Sequence, residues 1–209
     1  MLLSELQNIC RQLTIGRDPS HGLGHMLLVT SNTSHIIDKM DISNKTYLNR
    51  IAIAVAMMHD VADHKYVKDP IEMFELIKTQ LQEIGYTEDE SEFIVLACDN
   101  VSFSKERDNK INWDKLDEFP NGCLIRDIVS DADKLEAIGA VGIERCYQYS
   151  REKCEQNGDE VTEDELWAMV HKHADEKLLI LKDKYIRTKE GYELAEPLHK
   201  EMLDILEEH

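Results

Sequence analysis

Apolar side chains recur at spacings of three and four along nearly the whole chain, and little in the sequence interrupts the helices that this spacing favours. Leu2, Leu6, Ile9 and Leu13 form the first such stripe. Only 9 Gly and 4 Pro occur in 209 residues, too few to supply the tight turns of a sheet-rich fold. With 42% hydrophobic residues the chain can bury a sizeable core, and we read one all-α domain. Its core spans about 18–150, and further helices occupy about 165–208.

After Gly16 the stretch Asp18-Pro19-Ser20 breaks the first helix and caps a second, which carries His21, His25, Val29 and Ile36 to about Met40. Tyr47 to Val61 is apolar nearly all round and reads as the central buried helix. Pro70 to Gly85 repeats Ile71, Phe74, Ile77 and Leu81, and Thr87-Glu88-Asp89-Glu90 is a capping-box sequence opening a helix to about Val101. Ser104 to Pro120 is polar and reads as a mobile loop or lid. A helical pattern then covers Leu124 to Tyr149, Glu152 to Asp164 reads as an exposed acidic connector, and two more helices fit Glu165 to Lys182 and Gly191 to Glu208.

Charge and cysteine usage exclude several classes. Lys+Arg 24 against Asp+Glu 42 gives a net charge of −18, which disfavours a nucleic-acid polymer as partner. Five cysteines without a C-x-x-C pair suggest neither a disulfide framework nor a thiolate zinc site, and point to a reducing, cytoplasmic setting. The start of the chain lacks a basic, secretory-type leader pattern. The longest apolar run, Ile51 to Met58, falls far short of the roughly 18 residues that span a bilayer, so no membrane association is expected.

Polar residues in apolar surroundings mark the chemistry. His59-Asp60 follows Ala54-Val55-Ala56-Met57-Met58, where a buried carboxylate requires a partner or a cation. His21 and His25 stand four apart, a spacing that suits two ligands of one metal or one ligand and one substrate contact. Asp131 and Asp133 enter an apolar helix two positions apart, so they point roughly 200° apart and only one can serve the same site.

Together these segments resemble the HD-domain metal-dependent phosphohydrolase superfamily, whose motif is a histidine, a His-Asp doublet and a distant aspartate. The matching positions are His25, in His25-Met-Leu-Leu-Val29, then His59-Asp60, then Asp133, in Ala132-Asp133-Lys134-Leu135. Asp18-Pro-Ser-His21-Gly-Leu-Gly-His25, His59-Asp60-Val-Ala-Asp63-His-Lys65-Tyr66 and Asp131-Ala-Asp133-Lys-Leu-Glu-Ala-Ile-Gly139-Ala look like the compact bacterial-type subgroup. Lys177-Leu178-Leu179 and Thr188-Lys-Glu-Gly191 are similar to that subgroup's C-terminal region.

The resemblance implies an HD-type helical bundle with a C-terminal helical extension, and a divalent ion held by His25, His59, Asp60 and Asp133. Mn²⁺, Mg²⁺, Fe²⁺, Co²⁺ and Zn²⁺ all suit such a donor set, and extra histidines for a second ion are not supplied. It also implies water activation by Asp63 and a phosphate contact from Lys105; by position His21, one turn from His25, is a further phosphate contact, and an anionic chain needs cationic support from Lys65, Lys105 or Arg126. The expected substrate is a small phosphorylated molecule, with a nucleotide as the first guess. The alternative is a catalytically silent metal-binding regulatory or scaffold protein on the same fold. Whether the chain forms a homodimer stays open.

Overall fold

The computed structural model describes residues 2–17 and 21–209, so the Asp18-Pro19-Ser20 cap expected above lies outside the described residues. Helices dominate, and no strand occurs among the described residues. The chain divides into two compact units, Met1–Asp133 and Lys134–His209, with the boundary inside one helix.

The first unit is organised by α3 (Lys45–Met58), on which Leu48, Ile51, Ala52 and the run from Ala54 to Met58 are all buried. Such a helix needs neighbours on several sides. It packs against α1 (Leu2–Leu13), α2 (Leu23–Lys39) and α5 (Glu88–Val101). Each fully buried Ile, Val or Met here is worth about 1.5–3 kcal/mol of transfer free energy, so α3 supplies the firmest floor on which a site can be built.

The helix ends at Met58 rather than at Val61. Beyond it the chain runs through successive turns, with Val61 N–H donating to Met58 O (3.0 Å) and Asp63 N–H to Asp60 O (3.1 Å). His59 and Asp60 therefore sit at the helix end, where a turn, not a rigid cylinder, sets their direction. α4 (Pro70–Glu83) then starts at Pro70, with the Asp69 carboxylate accepting from Ile71 and Glu72 N–H. α5 opens with the expected capping box between Thr87 and Glu90.

The segment expected to be a mobile lid is instead pinned. It forms α6 (Phe103–Arg107) and α7 (Trp113–Asp117), while Asn100 Oδ1 accepts from Asn112 N–H (2.8 Å) and the Phe93 and Phe119 rings stack at 4.0 Å. Its polar sequence concealed a buried ion pair between Glu106 and Arg126.

The helical pattern from Leu124 to Tyr149 is broken into α8 (Gly122–Ala137) and α9 (Ala140–Asn157). Gly139 makes the break with φ +81, a left-handed conformation that favours glycine. Within the second unit, Glu201 accepts from Ala140 N–H (2.8 Å) and caps α9. The exposed connector is shorter than expected, because α9 continues to Asn157 before Gly158 turns the chain at φ +77. α10 (Glu163–His173), a π-helical turn (Ala174–Leu178) and α11 (Leu179–Tyr185) replace the single helix expected over Glu165 to Lys182. α12 (Lys189–Glu208) packs on α9 and α11, its start capped by Thr188.

Candidate metal centre

Three separate elements of the first unit bring carboxylates and imidazoles together around His25 and His59. His25 comes from the first turn of α2, His59-Asp60 from the end of α3, and Asp133 from α8. His25 and His59 are buried, and their Nε2 atoms lie 3.3 Å apart. Asp60 Oδ2 is 3.6 Å from His25 Nε2 and 3.5 Å from His59 Nε2. Asp133 Oδ1 approaches the same two nitrogens at 3.4 and 3.8 Å.

The separations among His25, His59 and Asp60 are close to those of donors sharing one ion. Two donors each about 2.1 Å from one ion and about 90–110° apart are about 3.0–3.4 Å from each other. The ligand atoms of His25, His59 and Asp60 all lie within 4.8 Å of one another. His59 is also held in the appropriate tautomer. Ala56 O can only accept, so the 2.8 Å contact makes His59 Nδ1 the donor and turns Nε2 toward His25 and the carboxylates. Two imidazoles and two carboxylates fit a divalent ion of borderline or hard character.

Electrostatics favour ionised Asp60. Burial pushes its carboxyl pKa up, but His59, His25, His21 and Lys65 together outweigh that and hold it below the ordinary value.

The other predicted residues are distributed differently. His21 precedes α2, so it does not share a helical face with His25; its Nδ1 lies 3.1 Å from the Tyr66 hydroxyl. Asp63 sits in the turn after the doublet, where its Oδ1 accepts from Lys65 N–H (2.8 Å) and lies 3.4 Å from His64 Nδ1. Lys65 is exposed. Lys105 is paired with Asp99 at 2.5 Å. Arg126 is not a cation available to a phosphate: it is fully buried and donates to Asn100 O (2.8 Å), Glu106 (3.0 Å) and Asp127 (2.9 Å). Asp131 is fully buried, whereas the Asp133 side chain is 30% exposed.

Sequence reasoning missed Arg17, whose guanidinium reaches the doublet turn from 43 residues away. The only signal was a basic residue beside a helix-breaking stretch that ends next to His21.

Comparison with solved structures places this arrangement among known folds. Over 99% of its length the chain is similar to YpgQ of Bacillus subtilis, with a TM-score of 0.71, 22% identity and 92% of that chain covered. It is equally similar to an HD-superfamily hydrolase of Bacillus thuringiensis, with a TM-score of 0.71, 21% identity and 93% of that chain covered. The chain has the HD-domain fold. A predicted HD-superfamily hydrolase from an uncultured Thermotogales bacterium matches more loosely, at a TM-score of 0.60 and 19% identity, with 99% of this chain and 90% of that chain covered. YpgQ has also been solved in complex with ADP, and that structure matches at a TM-score of 0.69. Neither protein-family models nor curated proteins give a match. No helix among the described residues is long and apolar enough to cross a membrane.

Proposed function

We propose that the chain is a metal-dependent phosphohydrolase acting on a small phosphate ester or anhydride, with a nucleotide as the first substrate to test. The observation that supports this reading is the grouping of His25, His59 and Asp60, whose ligand atoms all lie within 4.8 Å of one another, with Asp133 beside both imidazoles. A structural role for this cluster is a poor alternative, since packing two carboxylates around two buried imidazoles costs desolvation that an apolar core avoids. The fold shared with HD-superfamily hydrolases adds to it, and the ADP complex of YpgQ motivates the nucleotide.

His25, His59, Asp60 and Asp133 would hold the ion. When bound, a divalent ion lowers the pKa of water and stabilises charge developing on phosphoryl oxygens. The remaining work falls to side chains. Asp63 accepts the proton of the attacking water, His21 donates a hydrogen bond to a phosphate oxygen, and Lys65 and Lys105 supply positive charge in a chain of net charge −18.

The test is a hydrolysis panel of nucleotides and phosphomonoesters with Mn²⁺, Mg²⁺ or Co²⁺, run on wild type and Asp63→Asn. Turnover lost in Asp63→Asn supports the assignment. Pyrophosphate with a monophosphate marks attack at the α-phosphorus, and orthophosphate marks a phosphomonoesterase. Stoichiometric metal without turnover of any substrate favours the silent metal-binding protein.

A further inference from the structure

The turn that carries His59 and Asp60 begins where α3 runs out of helical hydrogen bonds, so its own carbonyls need partners from elsewhere. Met58 O and Asp60 O each accept one local N–H, from Val61 and Asp63. Such local bonds alone leave the peptide planes of a turn free to rock, and rocking would carry the Asp60 carboxylate away from the imidazoles.

One side chain removes that freedom. Arg17 Nη1 donates to Asp60 O at 2.7 Å and Nη2 to Val61 O at 2.5 Å, so a single planar guanidinium holds two consecutive carbonyls. The guanidinium lies against the Tyr66 ring, 4.7 Å from its centroid, and the Tyr66 hydroxyl lies 3.1 Å from His21 Nδ1. Tyr66 itself is placed by its N–H, which donates to Asp63 O at 2.9 Å. Arg17 and His21 are thereby tied to the turn after α3, beside the residues proposed to bind metal and phosphate.

We infer that Arg17, backed by Tyr66, is a positioning residue that sets the metal-bearing turn. This rests on the metal reading above. Arginine is needed because its two parallel N–H groups match two adjacent carbonyls, whereas a lysine ammonium reaches them only as a point charge. The guanidinium also brings a permanent positive charge into a site rich in carboxylates. Hydrogen-bond partners that orient metal ligands typically account for about 10–100-fold in metal affinity, and Arg17 orients Asp60 through its main chain.

The test is calorimetric titration of metal-stripped protein with Mn²⁺, alongside urea unfolding in EDTA, for wild type, Arg17→Met, Arg17→Lys and Tyr66→Phe. Arg17→Met should bind Mn²⁺ about 10–100-fold more weakly than wild type while remaining folded without metal. Arg17→Lys should fall between the two, and Tyr66→Phe, which keeps the ring, should retain wild-type affinity. Equal affinity in wild type and Arg17→Met overturns the clamp. So does a metal-free unfolding midpoint in Arg17→Lys that falls in step with its metal affinity, because the role is then general folding. Wild type that binds no Mn²⁺ instead refutes the metal reading on which the clamp rests.

Discussion

Replacing Arg126 with methionine should be among the most damaging single changes in the first unit. The guanidinium is 0% exposed and bonded to Asn100 O, Glu106 and Asp127, with its Cζ 5.2 Å from the centroid of the Trp113 ring. Its partner Glu106 has a side chain only 2% exposed. Methionine fills similar space but leaves that carboxylate buried without its cation, a loss of about 3–5 kcal/mol. With a urea slope of about 2 kcal/mol/M, the midpoint should fall by about 1.5–2.5 M. The chain has 2 tryptophans, Trp113 beside Arg126 and Trp167 in the second unit, so a Trp167→Phe background makes Trp113 fluorescence a local reporter. The double variant Arg126→Met/Glu106→Met removes both charges and should recover at least about 2 kcal/mol of the loss. A single variant losing less than about 1 kcal/mol, or a double variant no more stable than the single, would refute the argument that this pair is a fully desolvated, interdependent charge pair.

Glu90 makes an acid-sensitive contribution to stability: burial raises its pKa, but Thr87 N–H and Arg50 outweigh this and hold it below the ordinary carboxylate value. Its contribution is therefore present above the usual carboxylate range and lost as pH falls through the depressed value, so Glu90→Gln should flatten the acid limb of a stability–pH curve. Gly139→Ala should destabilise the second unit by about 1–3 kcal/mol in urea unfolding followed by Trp167, because φ is +81 and a Cβ would lie 2.9 Å from Glu201 Oε2 and 3.1 Å from Leu198 Cδ2. Unchanged stability there would mean that the turn relaxes.

Much of the fold was legible because its signals are local. The α3 run, the Thr87 capping box and the Pro70 start each depend on a few neighbouring residues, and each appears where local chemistry puts it. The grouping of His25, His59 and Asp60 was anticipated through the family resemblance, and the opposite burial of Asp131 and Asp133 agrees with their spacing on a helix. What escaped was non-local. The lid reading failed because Glu106 and Arg126 are twenty positions apart, and nothing in a polar segment shows that one of its acids is buried. Gly139 breaks a pattern whose apolar periodicity passes straight through it. Arg17 meets its carbonyl partners through main-chain atoms, which carry no sequence signature at all.

The most direct test of the central claim is the metal content of freshly purified protein, measured by elemental analysis for wild type and Asp60→Ala. The account predicts a near-stoichiometric divalent ion in wild type that is lost in the variant, since Asp60 Oδ2 lies within 3.6 Å of both imidazole nitrogens. A wild-type chain that holds no ion, even after reconstitution with Mn²⁺, Mg²⁺, Fe²⁺, Co²⁺ or Zn²⁺, would contradict it.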